Sequence, residues 1–84
     1  MSAKTYEGWK NYETWNVALW INNDFPLYTS ATKFMKSYKG RAPYSDWIWH
    51  AGLQNAETAD EIKWVSKKLS LTELNEMMRE LANG

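Results

Sequence analysis

The stretch from Trp9 to Asp24 holds three of the six tryptophans and the densest apolar run of the chain. Indole rings need neighbours on several sides to leave water. The rest of an 84-residue polypeptide therefore has to be built as a cover for this stretch.

Asn11 is suited to cap a helix, because its side-chain oxygen can take an unpaired amide of the first turn, and Glu13 then lies at the positive helix end. A first helix over 12–23 follows. At 100° per residue, Tyr12, Trp15 and Leu19 form one face, Ala18 and Ile21 extend it, and Val17 carries it round. The polar strip holds Glu13, Asn16 and Asn23, with Trp20 inside it. Two readings of Trp20 stand side by side. Either a later segment covers the ring and supplies an acceptor for its N–H, or Trp20, with Asn16 and Asn23, is an exposed anchor for a partner. A second copy of the chain would serve as that partner equally well.

Residues 1–8 read as a tail that becomes ordered towards its end, with Tyr6 and Trp9 folding back over the first helix. Asp24 and Pro26 open a second helix over 26–39, where Leu27, Tyr28, Ala31, Phe34, Met35 and Tyr38 keep three- and four-residue spacing. Gly40 stops it, and Lys36 and Lys39 suit its negative end. Pro43 opens a third helix over 43–51, with Tyr44, Trp47, Ile48 and Ala51 on one face and Gly52 as its stop. Two reciprocal capping patterns, Thr58 with Glu61 and Ser70 with Glu73, predict helices over 59–68 and 71–82. Alternation in Ile62-Lys63-Trp64-Val65 leaves an extended piece open as an alternative there. The expected fold is all-α: a single domain over 1–84, a cluster of four to five short helices around a Trp-rich first helix.

Composition narrows the function. Ten basic and ten acidic side chains cancel, so no overall field draws in nucleic acid. The lack of cysteine removes disulfides and thiolate metal sites and fits a reducing cytoplasm. No signal-type apolar core or membrane-length run is visible, so a cytoplasmic protein without membrane contact is expected. Asp46 and His50, the sole histidine, are spaced to pair on a helix, but no nucleophile or further metal ligands accompany them. The four glycines are scattered, with no phosphate-cradling loop. The expectation is a non-enzymatic protein with no cofactor and no metal.

The most prominent charge feature is Lys33, Lys36, Lys39 and Arg41, with no acid between Asp24 and Asp46. Together with Tyr44 and Trp49, expected close by, it is the mixture that single-stranded nucleic acid uses. It is also what a solvated helix face opposite an apolar stripe looks like. Lys63, Lys67 and Lys68 form a second cluster of the same kind.

The run Gly8-Trp9, Asn11-Tyr12-Glu13-Thr14-Trp15, Val17, Leu19-Trp20 and Asn23-Asp24, followed by Leu27-Tyr28, resembles the opening signature of a family of small uncharacterised proteins of bacteriophages and other mobile elements. That resemblance implies a phage or host-cell cytoplasmic setting and supplies no catalytic residue or cofactor. The leading expectation is a small accessory protein that binds a host or viral macromolecule, most simply a protein. A nucleic-acid-binding module using 33–41 is the alternative.

Overall fold

The computed structural model describes residues 6–83. Residues 1–5 of the expected tail, and residue 84, lie outside them. Four helices run in order, α1 (Tyr12–Asn23), α2 (Phe25–Ser37), α3 (Pro43–Ala51) and α4 (Leu71–Asn83). Helices α1, α2 and α4 pack on one another, and α3 packs on α2 and α4. The expected all-α single domain is what forms.

Asn11 caps α1 through a 2.9 Å bond from the Thr14 amide, and Asp24 caps α2 through the Leu27 amide. The face of α1 that meets the core keeps Val17, Ala18 and Ile21 of the expected arc but not its Tyr12, Trp15, Leu19 stripe. It is Thr14, Val17, Ala18 and Ile21, with Asn16 beside them, all buried. These side chains are smaller, and small residues let the facing helices approach closely. The large rings are displaced to the flank, where Tyr6 packs edge-on against Tyr12 and Trp15. A two-way pair of backbone bonds between Tyr6 and Trp9 brings Tyr6 back to that position.

Helix α2 ends two residues earlier than its spacing suggests. Tyr38 is extended (φ −78°, ψ 133°), and its hydroxyl donates to Asp46 and accepts the Ala42 amide. Lys39 therefore lies beyond the last turn rather than in it. Gly52 closes α3 in the left-handed region (φ 75°), which a residue without Cβ adopts freely.

The expected helix over 59–68 does not form. Residues 53–70 instead make an irregular strap. Glu57 and Lys63 pair across a tight turn, closed by backbone bonds from Thr58 to Ile62 (2.8 Å), Glu61 to Thr58 (2.8 Å) and Trp64 to Ala56 (3.2 Å). Glu61 has φ 67°, which no right-handed helix accepts. The physical reason is tertiary. The helical stripe of Ala59, Ile62, Val65 and Leu69 leaves out Trp64, the largest apolar side chain of the segment, whereas the irregular strap turns Trp64 inward against Trp47 at 6.2 Å. Thr58, meant as a helix cap, is spent on α1.

Polar side chains of α1 hold the strap. The Asn11 amide donates to the Lys68 carbonyl, and Thr14 Oγ1 accepts the Ser70 amide. Asn16, fully enclosed, donates to Asp60 Oδ2 at 2.7 Å and accepts from Thr58 Oγ1 at 2.7 Å. Thr58 Oγ1 in turn accepts the Asp60 and Ile62 amides. At the far end, the buried Tyr44 hydroxyl of α3 donates to the Trp64 carbonyl. The strap thus joins α1 to α3. Its exit into α4 follows the expected cap at Ser70, whose Oγ accepts the Glu73 amide. Glu73 reaches the Lys10 amide instead of completing the reciprocal pair.

Candidate docking surface

Helix α3 is fixed at both ends, by Asn75 of α4 accepting the Tyr44 amide at 3.0 Å and by the left-handed Gly52. With Tyr44, Trp47 and Ile48 turned inward, Trp49 has to point out, and it is 67% exposed. Alternation along the strap does the same to Val65, on the far side of buried Trp64, and Val65 is 53% exposed. Leu71, at the start of α4, is 47% exposed. These three side chains surround one mainly apolar cleft of about 110 Å³, also lined by Tyr44, Ile48, Trp64 and Leu69 and by the hydroxyl residues Ser45 and Ser66.

A partly exposed, mainly apolar cleft with an apolar rim is the form that a binding hot spot takes. Its size is informative. A cavity of about 150 Å³ accepts a benzene ring, so this one suits a single aliphatic side chain better than an indole. Lys63 and Lys67 are exposed on the strap on either side of Val65. Lys68 is already 3.9 Å from Glu13. The Tyr44 phenol below the cleft is pushed up by burial, so it stays a neutral donor to the Trp64 carbonyl.

The three partner-binding residues expected on α1 do not form a surface. Asn16 is buried, and Trp20 is half-covered, with its indole N–H donating to Asp60 Oδ2 at 3.1 Å. The first of the two readings of Trp20 describes its contacts, since a later segment supplies the acceptor. Asn23 is exposed but bonds back to the Leu19 carbonyl of its own helix. Asp60 is held below its usual range by the bond from Asn16 and then by that from Trp20.

The basic residues Lys33, Lys36, Lys39 and Arg41 are all exposed. Lys33 and Lys39 border a second concavity, between α2 and α3, that contains Phe34, Tyr38 and His50. Lys36 and Arg41 lie outside its lining. Asp46 and His50 are not joined by a hydrogen bond: the Asp46 carboxylate takes the Tyr38 hydroxyl, while the His50 ring lies 5.2 Å from Phe34. Slight desolvation, then the bond to Asp46, raise the Tyr38 phenol. A Cβ on Gly40 would overlap the Tyr38 hydroxyl, so Gly40 leaves the room this ring occupies. Among the described residues, no group of three or more His, Cys, Asp or Glu is placed to hold a metal ion. No helix among them is long and apolar enough to cross a membrane.

Sequence reasoning puts Trp49 off the inward face and beside the basic patch with Tyr44, but does not single it out as a partner anchor; Trp49 is exposed, whereas Tyr44 is buried. Val65 and Leu71 could not be found that way, because both join Trp49 only once the strap and α4 are packed beside α3.

One family model matches residues 2–83, described as "Family of unknown function (DUF7249)". The chain belongs to this family. No curated protein and no solved structure matches it. The match spans the strap and α4 as well as α1, so the unit the family defines includes the whole cleft around Trp49.

Proposed function

We propose that this is a small non-enzymatic accessory protein that acts by docking a host or viral protein onto the Trp49, Val65 and Leu71 face. The observation that carries the reading is the convergence of three large, exposed apolar side chains from α3, the strap and α4 on one mainly apolar cleft. Exposed apolar side chains gathered in one place mark an interaction site, whereas the same residues scattered singly would not. The partner chemistry that fits is a segment with one aliphatic anchor for the cleft and acidic flanks for Lys63 and Lys67. Asp46 and Asp60 are engaged otherwise, Asp46 by Tyr38 and Asp60 by Asn16 and Trp20. The resemblance carried by residues 8–28 supports a bacteriophage or mobile-element origin and action in the host cytoplasm.

Affinity capture from nuclease-treated lysate of cells that make the protein tests this. A protein retained by the wild type, lost from Trp49→Ala, and cross-linked to a photoreactive residue at position 65 is the expected result. An unchanged set of captured proteins with Trp49→Ala would refute it. A second copy as occupant would appear as a concentration-dependent dimer in sedimentation that Trp49→Ala abolishes.

A further inference from the structure

The concavity between α2 and α3 is built differently from the docking face. Phe34 and Tyr38, one turn apart on α2 and its cap, stack with ring centres 5.0 Å apart and planes 30° apart. His50, from α3, continues the file on Phe34 at 5.2 Å and 39°. Three rings from two elements therefore share the lining of a depression of about 500 Å³, a volume typical of sites for small ligands or single nucleotides, roughly 300–1,000 Å³. Lys33 and Lys39 border it, and Lys36 and Arg41 extend the positive charge beyond it. The nearest carboxylate on α3, Asp46, takes the Tyr38 hydroxyl.

We infer that this groove binds single-stranded nucleic acid, with Lys33 and Lys39 on backbone phosphates and a base continuing the ring file on the exposed face of His50. Each half of the ligand finds its counterpart. Bases stack on ring faces regardless of sequence, and the phosphates need cations spaced along a track. Paired bases in a duplex cannot present their faces to a ring, so the strand has to be single. Two cations on the rim, Lys33 and Lys39, suit successive phosphates of one backbone, which favours a strand over a free nucleotide. The net charge of zero means that attraction comes from this patch alone and is modest and salt-dependent.

The experiment is fluorescence anisotropy with a labelled oligothymidine of about a dozen nucleotides, titrated with the intact chain at several salt concentrations. The expected dissociation constant at physiological salt lies at about 10⁻⁴–10⁻⁶ M, the range of sequence-independent binding, and is lower at low salt. Two to four phosphate contacts give a slope of log K against log salt of roughly −1.4 to −2.8. Lys33→Glu with Lys39→Glu should weaken binding at least about tenfold and flatten the slope by about 1.4, as loss of two contacts requires. His50→Ala should weaken binding with the slope unchanged, and His50→Tyr should restore it. Trp49→Ala, on a different face of α3, should have no effect, which separates this site from the docking face. No anisotropy change at roughly 100 µM protein, the weak end of that range, would overturn the inference. So would equal affinity for the matching duplex, or displacement by thymidine monophosphate as effective as by the unlabelled strand.

Discussion

Replacing Asn16 by Leu tests how the strap is held. Asn16 is fully enclosed, and its Oδ1 is the acceptor for the Thr58 hydroxyl, which is itself 6% exposed. Leucine fills a similar space but neither accepts from Thr58 nor donates to Asp60, whose exposed carboxylate can turn to water instead. The Thr58 hydroxyl is left with an unpaired hydrogen, at about 1–3 kcal/mol for a buried group. Leucine gains up to about 0.5 kcal/mol in helix propensity, which offsets part of the loss. For a domain of this length, 1 kcal/mol moves the melting temperature by about 4–8 °C, so the unpaired hydroxyl lowers it by roughly 4–24 °C before that offset. The same variant should show where the damage lies. The Asp60 and Ile62 amides donate to Thr58 Oγ1, so their hydrogen exchange should accelerate while α2 amides keep their protection, because local openings report local contacts. Urea unfolding followed by tryptophan fluorescence, together with site-resolved exchange, measures both. Stability within about 0.5 kcal/mol of the wild type, the usual scatter of a neutral surface change, with unaltered exchange at Ile62, would refute the reasoning.

Further outcomes follow from neighbouring residues. Asp60 is held below its ordinary value by Asn16 and Trp20, so the folded state binds fewer protons than the unfolded one near the unfolded value of about 3.9. Its contribution to stability is complete above about pH 5 and fades as pH falls through the lowered folded value. Asp60→Asn should therefore flatten the acid limb of a stability profile measured by urea titration, and an unchanged limb would count against the link. Tyr44→Phe leaves the Trp64 carbonyl without its donor and should cost about 1–3 kcal/mol in the same assay. Because burial raises the Tyr44 phenol, its contribution is present at neutral pH and lost above about pH 10, the unfolded value. A titration of phenol absorbance should show Tyr44 silent until the protein unfolds. Trp49→Ala should change stability by no more than about 0.5 kcal/mol, whereas Trp47→Ala, fully enclosed, should lose about 3–5 kcal/mol.

The helices and their caps were legible because local chemistry decides them. Asn11, Asp24 and Ser70 cap their helices as their side chains suggest, and Gly52 stops α3. The strap was not legible, because Thr58 and Glu61 carry a local helix signal that long-range bonds override. The acceptor of Thr58 lies 42 residues away in Asn16, and no periodicity within 59–68 encodes that. The same blind spot moved the candidate site. Trp20 stands in a polar strip, which leaves cover and exposure both open until Asp60 is brought over it. Conversely, Trp49 owes its exposure to its position on α3, and its apolar neighbours Val65 and Leu71 join it only once the strap and α4 are packed beside α3. Lys33 and Lys39 were visible as charge, but their companions Phe34, Tyr38 and His50 form a file only once α2 and α3 pack. The polar residues of the α1 signature, Asn11, Thr14 and Asn16, hold the architecture together rather than face a partner.

The central claim is that Trp49 is the tryptophan free to anchor a partner while Trp20 is held by Asp60. The most direct measurement is fluorine NMR of the 5-fluorotryptophan-labelled monomer, assigned by single Trp→Phe variants and titrated with a soluble paramagnet. The resonance of Trp49 should broaden most, those of Trp47 and Trp64 least, and that of Trp20 in between. Trp49 as protected as Trp47, or Trp20 the most accessible of the six, would contradict it.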